Sequence, residues 1–139
     1  MAFVGTYGPR RCGIATFTSD LLCAVAAERP GSQCFAVPVN DIPGGYEYPD
    51  AVRFEIEEQD PPSYQRAAYF LNLGNVDVVC VQHEFGIFGG PAGEGVLEDL
   101  AEDLELRPGM RVLDLGSGKG ATSVFLAKEY GVQVWAADL

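Results

Sequence analysis

The sequence predicts an α/β fold built on a parallel sheet, and three observations predict it. Short apolar runs alternate with amphipathic stretches of helical length, the pattern of successive βαβ units. Residues 76–82, VDVVCVQ, are nearly continuous in β-branched side chains, as a central strand buried on both faces requires. Residues 113–120, LDLGSGKG, end an apolar run with an acid and a glycine turn, and a later apolar run ends on Asp138. Together they describe a three-layer, doubly wound, Rossmann-like sheet of six strands, in a single domain over residues 1–139.

Each element has a local reason. Residues 2–6 form the first expected strand, followed by the loop YGPRRCG and a helix from about Ile14 to Glu28 that Pro30-Gly31 ends. Residues 34–39 are the second strand, closed by the turn-rich NDIPGGYEYPD, and 52–56 the third. Asp60-Pro61-Pro62 opens the next helix, with Asp60 as capping carboxylate and prolines where N–H groups would be unpaired anyway. That helix stops at Gly74. Beyond strand 76–82 lie the glycine-rich loop HEFGIFGGPAG and a helix over about 95–106, stopped by Pro108-Gly109. A strand at 111–115, a helix at about 121–130 and a strand at 132–137 bring the expected count to six strands and four helices.

Composition excludes several partners. The net charge of -11, with Arg10-Arg11 the one adjacent basic pair, argues against nucleic acid, whose phosphates need a basic patch. Glu94, Glu98, Asp99, Glu102, Asp103 and Glu105 fit a solvated helix face. The four cysteines, at 12, 23, 34 and 80, form no CxxC pair and meet a single histidine, so neither a metal site nor a disulfide framework is expected. Reduced thiols point to the cytoplasm. No apolar run approaches about 18 residues and no secretory leader is visible, so no membrane partner is expected.

The glycine turn is the sharpest chemical signal. Gly116, Gly118 and Gly120 let the backbone turn tightly and approach a ligand, while the following helix aims its first N–H groups over the turn. Asp138, ending the next strand, is placed to accept hydrogen bonds from ribose hydroxyls. A phosphate-binding Walker loop requires glycine at 113 and Ser or Thr at 120, where Leu113 and Gly120 stand. GSGKGA satisfies only the permissive form of the dinucleotide fingerprint, and Asp114 completes D-x-G-x-G-x-G.

That motif resembles motif I of the class I S-adenosylmethionine-dependent methyltransferases, and RPGMRVLDLGSGKGATSVFLAKEYGVQVWAADL is similar to that family throughout. The resemblance implies that Asp114, Gly116, Gly118 and Gly120 contact the amino-acid moiety of S-adenosylmethionine and that Asp138 holds its ribose. Lys119, on an exposed turn, receives no role. The family's core continues into further strands that place adenine and the methyl recipient, whereas this sequence ends at Leu139, so methyl transfer by this polypeptide alone is not expected.

Residues 1–93 carry a different likeness. TYGPRRCGIATFTSDLL, YPDAVRFEI, SYQRAAYFLN and VDVVCVQHEFGIFGGPAG resemble the N-terminal domain of retaining GT-B glycosyltransferases of the glycogen-synthase-like group. In that family this domain binds the acceptor, and the nucleotide sugar sits mainly on a separate domain. From the residues themselves, Cys12 and Gly13 at a helix start offer N–H groups to an anion or sugar hydroxyl, and Arg10 and Arg11 are candidate phosphate supports. His83 and Glu84 leave the sheet at its ligand-binding edge. No catalytic residue is assigned. The glycosyltransferase likeness implies the strand order 3-2-1-4-5-6, with 111–115 fifth and 132–137 sixth.

The chain is therefore read as a hybrid of a glycosyltransferase-like segment, 1–93, and a methyltransferase-like segment, 94–139. It is expected to bind a nucleoside cofactor and not to be catalytically complete alone. The alternatives are a fragment of an active glycosyltransferase or methyltransferase, favoured by the stop directly after a strand, and an inactive engineered chimera. The exposed last strand invites edge pairing with another chain.

Overall fold

The computed structural model describes residues 1–82, 104–115, 117 and 119–137. Its elements are β1 (Ala2–Gly5), α1 (Gly13–Glu28), β2 (Phe35–Asn40), β3 (Ile56–Glu57), α2 (Pro61–Leu73), β4 (Val79–Val81), β5 (Arg111–Leu115), α3 (Ala121–Tyr130) and β6 (Gln133–Ala137). The six strands form one sheet in the order β3-β2-β1-β4-β5-β6, and every pair is parallel. The expected order is the observed one.

Strand register divides the sheet into two faces. Ala2 and Val4 of β1, Val37 and Val39 of β2 and Ile56 of β3 pack with Tyr64, Ala67, Ala68 and Leu71 of α2. Phe3, Ala36 and Cys80 point the other way, onto Leu22 of α1. Cys80 is in register with Leu113 and Leu113 with Trp135, so both lie on the α1 face. Val112 and Val134 pack with Leu126 of α3, on the face that α2 also covers. Gly5 permits the closest approach between β1 and β4, because a Cβ there would stand 2.7 Å from Cβ of Gln82.

Several boundaries differ from expectation. β3 is shorter than 52–56: Val52 makes only an isolated bridge to Ala36, and Glu55 turns to accept from Nδ2 of Asn40 at 2.8 Å. β4 begins later than 76 because the Val76 N–H bonds to the Leu71 carbonyl and extends the end of α2. Its valines, Val79 and Val81, are only partly buried; the strand is thus not sealed on both faces as its composition suggested. Asp60 does not cap α2 with its side chain. Pro61 and Pro62 remove the nearest donors, the Ser63 N–H is taken by the Asp60 carbonyl, and the carboxylate pairs with Arg66 at 2.8 Å. Three of the four helices placed on the sequence occur among the described residues; the one placed at 95–106 falls almost wholly outside them. No helix among those described is long and apolar enough to cross a membrane.

Candidate functional site

β5 delivers Asp114 to the carboxyl end of the sheet, on the face that α3 covers. The residue is 6% exposed, and its Oδ2 accepts a hydrogen bond from Oγ of Ser123 at 2.5 Å. Ser123 stands in the first turn of α3, a position where a serine side chain otherwise competes for backbone donors. Here it locks a carboxylate instead. Such a bond to a charged acceptor is among the stronger hydrogen bonds a side chain makes.

The turn between β5 and α3 is held by backbone. Ser117 N–H donates to the Ala137 carbonyl, tying the turn to the end of β6, and Gly120 N–H donates to the Ser117 carbonyl. Gly120 is the N-cap of α3 with φ of 74°, a left-handed conformation that a side chain resists, and no side chain caps the helix. Among the described residues, no side-chain acceptor caps the N–H groups that the first turn of α3 presents beside Asp114. Lys119 is exposed. Gly116, Gly118 and Asp138 lie outside the described residues, as do His83 and Glu84.

Asp114 also influences its neighbour strand. Burial pushes the Cys80 thiol up to about 11; the hydrogen bond from Gln82 acts in the opposite sense, and the Asp114 charge adds to the rise. Nε2 of Gln82 donates to Cys80 Sγ at 3.1 Å. A thiol held neutral in this way is a packing group.

The loops after β1 and β2 form a second polar region at the same edge. Cys12 is the N-cap of α1, and its own thiol accepts from the Ala15 N–H at 3.3 Å. One of the donors expected to meet an anion is thus already engaged. Arg10 pairs with Asp41 at 3.3 Å, which supplies the counter-charge that a phosphate was expected to provide; Arg11 is exposed. Tyr46 donates to Asp41 and Tyr48 to Asn40. The Tyr48 hydroxyl is raised well above its ordinary value, first by burial and then by the charge of Glu55. Cys12 and Gly13 stand on this side, two strand positions away from Asp114 across β4, and the described residues do not unite the two regions.

Sequence reasoning missed Ser123 and the Asn40–Glu55–Tyr48 network. A serine in a helix whose N-cap is glycine was the only available sign of the former. Nothing local marks the latter, because Asn40 and Glu55 meet only when β2 and β3 are laid side by side. Among the described residues no group of histidine, cysteine and carboxylate side chains could hold a metal. An apolar cavity of about 270 Å³, lined by Leu71, Val79, Val81, Met110, Val112 and Leu126 among others, opens between α2 and α3. Of the described residues of the glycine turn, Asp114, Ser117 and Gly120 are not in its wall.

Comparison with known proteins gives one partial likeness. Over 63 residues, 45% of this chain, the sequence is 33% identical to a phosphoethanolamine N-methyltransferase of Triticum aestivum. The chain spans only 12% of that protein's length. No family model matches, and no solved structure does. A distant methyltransferase likeness on a Rossmann-like α/β sheet is what these findings support.

Proposed function

We propose that the β5–α3–β6 unit is a nucleoside-cofactor cradle for S-adenosylmethionine and that the chain works as a binding module. The observation that carries this reading is the buried Asp114 fixed by Ser123 beside an α3 N-terminus that opens on left-handed Gly120. These residues fit the amino-acid end of such a ligand. Asp114 takes its ammonium group, and the N–H groups at the start of α3 take its carboxylate. Asp138 accepts from the ribose hydroxyls, and Gly116 and Gly118 supply the close backbone approach. When bound, the cofactor brings an electrophilic methyl group on sulfonium; this chain's residues only hold and orient it. The likeness to a methyltransferase supports the choice of ligand.

Residues 1–93 complete the module as a glycosyltransferase-like acceptor-domain body, with Cys12, Gly13, His83 and Glu84 on the acceptor side. Its support is sequence resemblance and compatible strand order. The acidic chain has no nucleic-acid or membrane partner in this reading, and its reduced thiols suit the cytoplasm.

Titration calorimetry with S-adenosylhomocysteine tests the proposal. The expected result is a saturable heat that disappears in Gly118→Val and weakens in Asp138→Ala. Absence of heat from the parent protein at about 1 mM ligand, a binding free energy weaker than roughly -4 kcal/mol, removes the cofactor reading.

A further inference from the structure

We propose that β6 is a self-complementary interface through which two copies of this chain pair antiparallel, about a two-fold axis passing through Trp135. Among the described residues the strand lies at the end of the sheet with β5 as its one neighbour. Gln133 N–H bonds to the Met110 carbonyl, and the Ala137 carbonyl accepts from Ser117 N–H. Odd-numbered residues of β6 thus turn their backbone groups inward to β5. By alternation, Val134 and Ala136 turn theirs outward.

These two residues are symmetric about Trp135, and that symmetry selects the partner. With the axis through Trp135, Val134 of one copy faces Ala136 of the other, and the reciprocal pair faces likewise. Each is a hydrogen-bonded pair, so the outward N–H and C=O groups of both strands are satisfied together. Trp135 meets Trp135 of the second copy as the non-hydrogen-bonded pair between them, the arrangement that brings side chains closest. Both indoles lie on the α1 face of the sheet. There α1 covers Phe3, Ala36 and Cys80 but leaves Trp135 52% exposed.

Charge also favours a second copy at this strand. A chain of net charge -11 repels its copies, yet residues 132–137, VQVWAA, carry no charge at all. They also lack the lysine or proline that blocks pairing at sheet edges. This neutral strip is where two acidic molecules approach at least cost. Isologous pairing about one axis closes after two copies, leaving no free β6 edge.

Sedimentation velocity on the full chain, from about 1 μM to about 1 mM, tests this over the range of weak association constants. The mass is expected to rise from 14.9 kDa toward twice that value, and added salt, by screening the repulsion, shifts the rise to lower concentration. Trp135 is the single tryptophan, so its emission moves to shorter wavelength along the same concentration curve. Ala136→Pro deletes an outward N–H that β5 does not use and is expected to remain monomeric while unfolding like the parent. Trp135→Lys, at an exposed position, gives the same loss by a route that leaves the backbone intact. A monomer throughout the range overturns the proposal. So does a dimer that persists in both variants, or one that forms without any emission shift.

Discussion

The two ends of the sheet are made of similar sequence and buried very differently. At the β3-β2-β1 end, Ala2, Phe3, Val4, Val37, Val39 and Ile56 have no exposed surface, sandwiched between α1 and α2. At the β5–β6 end the buried hydrophobic residues of the cluster, among those described, are Leu126 and Val132, and every residue of β6 except Val134 is exposed. Phe70 contacts both Phe35 and Phe54 on the α2 face; at the tail Phe125 meets Tyr130 edge to face, while Trp135 stands open. Hydrophobic stabilisation scales with apolar surface removed from water, so the front of the molecule holds the fold and the tail depends on it. The residues proposed for the site, Asp114, Ser123 and Gly120, sit at the tail. Sites that must admit a ligand are drawn from the less stable parts of a structure.

The comparison can be broken most directly in the core. Phe3→Ala removes a side chain with no exposed surface and should cost about 3–5 kcal/mol in urea unfolding. Leu126→Ala, in the smaller α3 cluster, should cost about 2–3 kcal/mol, and hydrogen exchange should place the added opening in β5, α3 and β6. Uniform acceleration of exchange across β1 and β2 in that variant contradicts the division. Ser123→Ala strands the buried Asp114 carboxylate without its donor and should cost about 1–3 kcal/mol. Ser123→Thr, which retains the hydroxyl, should recover most of the loss.

Alkaline pH sharpens the comparison, because Cys80 lies on the strand where front and tail join. Its folded value is raised to about 11 from an ordinary 9.0, so below about 9 both states hold the proton and the contribution is complete. Between those values the unfolded chain loses a proton that the folded chain keeps. Stability therefore falls with rising pH by roughly 1.4 kcal/mol per unit. Urea titrations at pH 8 and pH 10 under reducing conditions should show the drop, and Cys80→Ala should remove most of it, the remainder belonging to tyrosines such as Tyr48 whose hydroxyl is also raised. The smallest effect is expected at Gly120, whose left-handed backbone should make Gly120→Ala costly by about 1 kcal/mol. A thermal unfolding midpoint unchanged in that variant rules out a constrained turn.

Much of the fold was legible from sequence because its signals are local. Alternating apolar runs mark βαβ units, and strand 111–115 and helix 121–130 were bounded as observed. Pro108-Gly109 and the glycine turn punctuate them. Errors arose where a neighbour in space overrode the local pattern: Val76 is held by the end of α2, Asp60 is claimed by Arg66, and Glu55 by Asn40. The candidate site was half legible. D-x-G-x-G-x-G named Asp114 and Gly120, but the identity of the group that fixes Asp114 depends on a hydrogen bond between strand and helix.

The sequence by itself determined which segments become strands and helices, and where the chain must turn through glycine, since periodicity and backbone freedom are properties of neighbouring residues. Only the tertiary structure decided that VQVWAA, as apolar as the strands at the centre, has one bare face, that Ser123 reaches Asp114, and that Arg10 spends its charge on Asp41. Burial and pairing are set by which elements the sheet brings side by side, a relation between residues distant along the chain that no local pattern contains.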